Sequence, residues 1–210
     1  MARKRATDYD DKRRAILDRS AELFASNGYD RASMSLIAEG CGVSKANLYH
    51  YYKDKEELLF DVIRFHLETL LEVVEAANDT SLPPAARLQN LVAALLEAYR
   101  DADAEHKIQI NHMRLLTPER QAELKAMERE LVAIFSDTVL ANAPHLKGAL
   151  LKPVTMSLFG MLNWHYLWFR PDGGMSRADY AALATQLILD GTRNIGAAEA
   201  PARKVAAGRA

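Results

Sequence analysis

The sequence predicts an all-α protein, and three observations support this fold class. Glycine and proline are scarce, with 10 and 7 among 210 residues. Alanine and leucine, which favour helices, are plentiful. Apolar residues recur at helical spacing over most of the chain, between residues that are typical helix starts and stops.

The composition is that of a globular protein with a hydrophobic core. Hydrophobic residues make up 49% of the chain and charged residues 26%. The single cysteine, Cys41, excludes an intrachain disulfide, and no secretory signal follows Met1, so we expect a cytoplasmic protein. The uncharged stretch 153–169 is short for a membrane span and contains Asn163 and His165, which favours a buried helix.

The charge is distributed unevenly along the chain. Residues 1–53 contain ten Lys or Arg and seven Asp or Glu, whereas the remainder contains seventeen and twenty-one. A basic N-terminal part on an acidic body indicates that only the N-terminal part meets a polyanion, with chance clustering as the alternative.

The first three helices are predicted from their ends. Residues 1–10, with Arg3-Lys4-Arg5, are expected to form a basic, mobile arm. The first helix should stop at Asn27-Gly28, where a glycine C-cap fits. Either Ser33 or Ser35 caps a short helix to about residue 40, a glycine turn follows, and Ser44 caps a helix that ends near residue 52.

The rest of the chain is predicted to be helical as well. Asp54 begins a long helix to about residue 77, with Glu57 in a capping-box position. Further helices are expected at about 84–100, 104–116, 118–141, 147–169 and 176–196. The Ala-, Gly- and basic-residue-rich segment 199–210 is expected to be a disordered tail.

Two short helices meeting at a tight glycine turn, over about residues 33–51, are typical of a helix-turn-helix. Small apolar residues supply the packing, and the outer surface of the second helix is rich in groups that can contact bases or phosphates: Lys45, Asn47, Tyr49, His50 and Tyr51. Such a helix fits the DNA major groove. Ser44 with the helix N-terminus, and Lys53 and Lys55, can reach the phosphate backbone. On periodicity alone, an ordinary helical hairpin with a polar face is equally well supported.

Residues 13–59 closely resemble the N-terminal domain of TetR-family regulators. The matching elements are Ile16-Leu17, Ala21-Glu22-Leu23-Phe24, Gly28-Tyr29, Leu36-Ile37-Ala38, Gly42-Val43-Ser44-Lys45, Leu48-Tyr49, and Lys53 through Leu59. Two departures are mild: Met34 stands where Thr or Val is common, and Tyr52 where Phe is usual.

The resemblance implies a reading domain over 1–53, a helical effector-binding and dimerisation domain over 54–198, and the tail 199–210. It implies phosphate contacts by Ser33 and Ser35, and base contacts by Lys45, Ala46, Asn47 and His50. Backbone anchors would be Tyr49, Tyr51 and Lys55, with packing as an alternative role for Tyr49. The arm Arg3-Lys4-Arg5 would add DNA contacts or remain a solvated tail.

The resemblance also implies a homodimer through the last two helices, double-stranded operator DNA as partner and no cofactor. Apolar residues on more than one face of the helix 147–169 support the dimer independently. The middle helices would enclose a mostly hydrophobic effector pocket, although a plain core position is the favoured interpretation of each candidate residue: Tyr99, His112, Met113, Leu116, Phe135, Phe159, Asn163 and Trp164.

The segment 159–173 is similar to the C-terminal helix of TetR members that respond to acyl-CoA thioesters, among them repressors of fatty-acid, phenylacetate and sterol catabolism. That similarity implies an acyl-CoA effector, with Arg114, Arg170 or nearby lysines at the CoA phosphates.

Two other classes of function fit the sequence less well than a DNA-binding regulator. A small helical enzyme is disfavoured because the six histidines form no zinc-protease pattern, and neither a phosphate loop nor a nucleophile elbow is present. A helical interaction or small-molecule-binding protein without DNA binding is disfavoured by the polar, aromatic surface of the helix after Ser44.

Overall fold

The computed structural model describes residues 2–170 and 172–195, which form nine α-helices and two short 3-10 helices and no β-strand. The all-α prediction is confirmed. The α-helices are α1 (Ala2–Asn27), α2 (Met34–Gly40), α3 (Lys45–Tyr51), α4 (Lys55–Ala77), α5 (Pro84–Ala98), α6 (Asp103–His112), α7 (Pro118–Asn142), α8 (Leu151–Asn163) and α9 (Arg177–Thr192). The 3-10 helices are Met113–Leu115 and His165–Leu167.

The N-terminal segment differs from its prediction. The sequence predicts a non-helical arm over residues 1–10, but α1 begins at Ala2. The physical reason is that residues 2–10 contain neither Gly nor Pro and are rich in Ala, Lys and Arg, which are good helix formers. The first helix therefore extends through the segment expected to be an arm.

The long apolar helix is shorter than the predicted range 147–169. Gly148 has φ 63°, a left-handed conformation that cannot lie inside an α-helix, and α8 begins only at Leu151. The helix ends at Asn163, and the chain turns so that the buried His165 ring packs 4.2 Å from the Phe169 ring, centroid to centroid. Aromatic packing after α8 thus replaces the last turns of the predicted helix.

Other helix ends agree closely with local capping signals. The Asp54 carboxylate accepts a hydrogen bond of 2.7 Å from the Glu57 amide, as the predicted cap requires. The Glu57 carboxylate accepts one of 2.8 Å from the Lys53 amide, one residue before the cap, in place of the Asp54 amide expected in a capping box. At α9, Ser176 and Asp179 form a reciprocal capping box, with both backbone-to-side-chain bonds at 3.1 Å. Helix α9 ends at Thr192, with Arg193 as its C-cap, so it is shorter than the predicted range to about residue 196. The tail 199–210 lies outside the described residues.

The contacts divide the chain into two compact units. The first unit comprises residues 2–76 with 94–131, and the second comprises 77–93 with 132–195. In the first unit, α1 packs against α2 and α6, and α2 packs against α3. In the second unit, α8 packs against α9, and the Tyr180 hydroxyl donates a hydrogen bond of 3.0 Å to the Met161 carbonyl. None of the described helices is long and apolar enough to cross a membrane.

The turn between α2 and α3 depends on Gly42, which has φ 66°. Its amide donates to the Glu39 carbonyl at 3.0 Å, and the Val43 amide donates to the Ala38 carbonyl at 3.0 Å, so the chain reverses within a few residues. L-residues with a side chain adopt this left-handed conformation only at a cost of about 1–2 kcal/mol.

We expect Gly42→Ala to lower the free energy of unfolding by about 1–2 kcal/mol, because the added Cβ strains the left-handed turn. Chemical denaturation measures the change. Gly191→Ala is the matched control: Gly191 lies in α9, and a Cβ there meets no atom within 4 Å. That substitution should be neutral or stabilising by up to about 1 kcal/mol. Equal effects of the two substitutions would contradict a strained turn.

Candidate nucleic-acid interface

The outer face of α3 presents five exposed residues close together on one short helix: Lys45, Ala46, Asn47, Tyr49 and His50. Leu48, between them, is fully buried and anchors the helix to the protein. The Lys45 ammonium lies 5.9 Å from the centroid of the Tyr49 ring. Four of the five side chains bear hydrogen-bonding groups, so the face is suited to contact base edges or phosphates.

Both short helices begin at an exposed serine that caps them. The Ser33 hydroxyl accepts a hydrogen bond of 3.2 Å from the Leu36 amide, and the Ser44 hydroxyl accepts one of 3.1 Å from the Asn47 amide. Ser33, and not Ser35, is therefore the N-cap of α2, while Ser35 is exposed in the first turn. Each capping hydroxyl accepts through oxygen and keeps its own hydrogen for donation to a phosphate.

Tyr51 is held against α1. Its ring stacks on Tyr9 at 4.8 Å between centroids and is only half exposed. The sequence does not reveal this role of Tyr9, because nothing local links two tyrosines so far apart in the chain. The stacking fixes the end of α3 relative to α1, and any phosphate contact by Tyr51 would have to involve its hydroxyl edge.

Lys55 points inward, in contrast to the phosphate anchor expected at this position. Its ammonium donates a hydrogen bond of 2.7 Å to the Tyr29 carbonyl and lies 4.2 Å from the centroid of the Tyr29 ring. Lys55 thus ties the start of α4 to the connection between α1 and α2. Lys53, two residues earlier, is exposed, whereas Lys55 is partly buried.

Buried groups behind α3 keep it in place. Tyr52, immediately after the helix, is 1% exposed, and burial raises the pKa of its phenol well above the usual range, so it stays neutral. Arg13 of α1 pairs with Asp61 of α4, which also accepts a bond of 3.1 Å from Arg64. Arg19 of α1 donates to the Gly40 carbonyl at 3.1 Å, which closes the C-terminus of α2.

A second interaction that the sequence does not reveal joins the starts of α4 and α7. The Glu56 carboxylate accepts hydrogen bonds from the Thr117 amide at 3.3 Å and from Arg120 at 3.1 Å. The Arg120 guanidinium also lies 5.1 Å from the centroid of the Phe60 ring. The helix that follows the reading residues is therefore fixed to the first turn of α7.

Four of the candidate effector residues belong to the first unit: Tyr99, His112, Met113 and Leu116. Three of them are buried, and His112 is half buried with its ring 6.3 Å from that of Tyr29. Burial, assisted by Arg114, lowers the pKa of His112, so the ring is neutral near pH 7. His112 and Arg114 line an open cleft of 420 Å³ together with Tyr29 and Arg31.

The other four candidate effector residues belong to the second unit. Phe135 and Phe159 are buried and pack edge to face at 5.0 Å between centroids, as core residues do. Asn163 is half buried. Trp164 is 51% exposed, which differs from the enclosed position expected of a pocket residue.

The described residues contain no group of three or more His, Cys, Asp or Glu side chains able to hold a metal ion. The cysteine in the glycine turn, Cys41, is half buried, and burial raises the pKa of its thiol, which keeps it protonated.

Two family models match the chain. Residues 16–62 match the model described as bacterial regulatory proteins, tetR family, and residues 81–192 match the tetracyclin repressor-like C-terminal domain. The first match contains the whole of α2 and α3, and the second extends from before α5 to the end of α9.

Individual relatives agree with these matches. A TetR-family transcriptional regulator from Bordetella parapertussis 12822 superposes with a TM-score of 0.79 at 34% identity, covering 85% of this chain and 94% of that one. The structure of AibR in complex with isovaleryl coenzyme A and operator DNA gives 0.74 at 27% identity, with 85% and 98% covered. The repressor KstR2 of Rhodococcus jostii (strain RHA1) is 26% identical over 86% of this chain and 90% of its own length.

The exposed face of α3, the two family models and these relatives together identify the protein. The chain belongs to the TetR family of bacterial transcriptional regulators, non-enzymatic DNA-binding proteins with an N-terminal helix-turn-helix and a C-terminal ligand-binding domain.

Proposed function

We propose that the protein is a homodimeric repressor that binds a palindromic operator through α3 and leaves it when a small hydrophobic or acyl-CoA effector binds. The supporting observation is the exposed polar face of α3. We place the boundary between the DNA-binding domain and the effector-binding and dimerisation domain after residue 53. The expected location is the cytoplasm, where such a regulator meets its operator.

Base recognition is assigned to the middle of the α3 face and backbone contact to its surroundings. Asn47 and Lys45 are exposed and bear donors suited to adenine and guanine edges respectively. Ser33, Ser35, Ser44, Tyr49 and Lys53 surround them and would meet phosphates. Lys55 is assigned a bracing role because its ammonium already bonds the Tyr29 carbonyl.

The two kinds of contact should separate in a binding experiment. On an operator selected by the wild-type protein from random DNA, Asn47→Ala should cost about 1–3 kcal/mol while leaving affinity for random DNA nearly unchanged. Lys53→Ala should weaken binding to both DNAs and reduce the salt slope by about one unit for each phosphate that is no longer neutralised. Fluorescence anisotropy over a salt series measures both effects.

Lys125→Ala, at an exposed lysine of α7, is the control and should change neither quantity. The assignment of Asn47 would be wrong if its substitution weakened operator and random DNA equally. The assignment of Lys53 would be wrong if the salt slope were unchanged.

Dimerisation is assigned to the apolar residues that the second unit leaves exposed on and near α8 and α9. Leu187 is 54% exposed and Leu183 41% on α9, and Met156 is 46% exposed on α8. Leu167 and Trp168, after α8, are 60% and 52% exposed. Isolated apolar residues on a surface are common, but such a set on one pair of packed helices is typical of a protein interface. A two-fold dimer would place two α3 helices on successive half-sites of a palindrome.

Leu187→Glu should convert the protein to a monomer, because a charge on an otherwise apolar interface is left without a partner. Analytical ultracentrifugation measures the change, and operator affinity should fall with it. Leu115→Glu, at a residue 43% exposed in the first unit, serves as the control and should remain dimeric. An unchanged dimer in the Leu187 variant would exclude this surface.

An acyl-CoA effector is supported by two observations. AibR, a structural neighbour at 27% identity, was solved with isovaleryl coenzyme A and operator DNA. The cleft lined by His112 also contains Arg31 and Arg114, whose guanidinium groups suit the phosphates of coenzyme A. The Arg114 side chain is exposed at the edge of this cleft and is therefore the first candidate for that contact.

Titration of acetyl-, isovaleryl- and palmitoyl-CoA into the protein–operator complex tests this assignment, with free CoA as the control ligand. At least one thioester should release the DNA, and Arg114→Ala should raise the concentration needed by about tenfold, as expected when a charged hydrogen bond is removed. Operator affinity without ligand should not change. Release by an unrelated small molecule, with none by the thioesters, would contradict the acyl-CoA proposal.

A further inference from the structure

A second cleft in the first unit lies between α1, α4 and the turn that leads into α6. Its volume is 380 Å³. Its lining combines acidic, basic and aromatic side chains with a buried histidine, and includes Arg14, Asp18, Glu22, Phe65, His66 and Glu105. None of these residues belongs to the DNA-reading face or to the effector residues named above.

His66 lines this cleft from α4 and is almost completely buried, with 4% of its surface exposed. Its Nε2 atom has no hydrogen-bond partner. The ring lies near those of Tyr99, at 6.4 Å, and His106, at 6.0 Å. Burial, followed by the nearness of His106, lowers the pKa of His66 to about 3, so the imidazole is neutral at physiological pH. A buried polar atom without a partner is costly, and a bound ligand would remove that cost.

Glu105 of α6 provides a second such atom. Its Oε2 is buried and has no hydrogen-bond partner. Burial raises the pKa of this carboxyl group above its ordinary value, and the negative charges of Asp18 and Glu22 add to the increase. A hydrogen bond from the backbone amide of Glu105 itself and the Arg14 charge oppose the change. The Oε2 atom of Glu105 therefore accepts no hydrogen bond from a cation of the protein.

The two arginines that line the cleft are engaged elsewhere. The Arg14 guanidinium lies 4.2 Å from the centroid of the Phe65 ring and 3.6 Å from the Asp18 carboxylate. The Arg100 guanidinium pairs with Glu97 at 2.7 Å. Because the lining acids outnumber these two cations, the cleft retains an excess of negative charge beside a neutral imidazole.

We propose that this cleft is a binding site for a small primary amine, separate from the cleft lined by His112 and Arg114. An ammonium group has three donors; we assign one to the Glu105 carboxylate and another to an unprotonated ring nitrogen of His66, both of which line the cleft. The alkyl part would lie against Phe65 and the methyl group of Thr69, which also line the cleft. An anionic ligand would be repelled by Asp18, Glu22 and Glu105 together. A metal ion is a poorer fit, since the described residues hold no suitable group of ligands.

Occupancy of the cleft has a structural consequence. The cleft includes residues of both α1 and α6, which pack directly against each other. A ligand bonded to Glu105 and enclosed by Arg14 and Asp18 would strengthen this packing. Amine binding would therefore stabilise the unit that contains the helix-turn-helix.

Isothermal titration calorimetry of the full-length protein, without DNA, tests the proposal with butylamine as the probe. We expect saturable binding of butylamine, and none of 1-butanol or butyrate, which match its length but are neutral or anionic. Glu105→Gln, which keeps the shape and removes the charge, should weaken butylamine binding by about tenfold or more. Glu97→Gln, at the exposed acid paired with Arg100, is the matched control and should bind as the wild type does.

Four results would overturn the proposal. Binding of 1-butanol with the same affinity as butylamine would show that the cleft recognises only the alkyl chain. Butyrate binding better would show a site for anions. Equal binding of butylamine to the wild type and to the Glu105 variant would exclude Glu105 as the amine ligand. Absence of butylamine binding to the wild type would exclude the cleft as an amine site. Since no DNA or acyl-CoA is present, failure here would leave the proposed repressor function unaffected.

Discussion

The geometry of the DNA-reading part depends on one constraint, which is that α2 and α3 are too short to be stable alone. Each has seven residues, whereas isolated helices shorter than about 12–15 residues are marginal in water. Their position must come from what they bury and from how their ends are closed. Leu48 and Tyr52 are buried at the last turn of α3 and just after it, and Ser44 caps its first turn. The exposed face can vary in sequence while the fold is kept, because the stability of α3 comes from its other face.

The same constraint explains how the basic residues of the N-terminal region are used. Arg13 pairs with Asp61, Arg19 closes α2 at the Gly40 carbonyl, and Lys55 bonds the Tyr29 carbonyl. These three cations hold short helices and turns together, while Lys45 and Lys53 remain exposed. A net charge counted along the sequence therefore overstates the positive charge that faces DNA. The cations that stabilise the fold and those that can bind a polyanion are different residues of the same segment.

Features set by neighbouring residues are predictable from the sequence, and those set by distant ones are not. The caps at Ser44 and Asp54 follow from residues three positions apart, and both are predicted together with the all-α fold and the helix-turn-helix. The break after Asn163 is not predicted, because it depends on His165 packing against Phe169 and Tyr180. The stacking of Tyr51 on Tyr9 and the inward turn of Lys55 likewise require partners far away in the chain. The polar face of α3 is predictable from the sequence. The sequence does not indicate that Lys53 is exposed beside this face while Lys55 turns inward.

The strength of the bridge from Glu56 to Thr117 and Arg120 bears on the effector response that we propose. A partly exposed ion pair of this kind contributes about 1 kcal/mol. Moving a two-state protein from 1:99 to 99:1 requires about 5.5 kcal/mol of differential ligand affinity. The bridge is thus far too weak to hold a regulator in one state against a bound effector. Without an effector, it helps to keep the first turns of α4 and α7 beside each other. The bridge can break and re-form at little cost, so in the effector response that we propose the free energy of switching would have to come from the ligand.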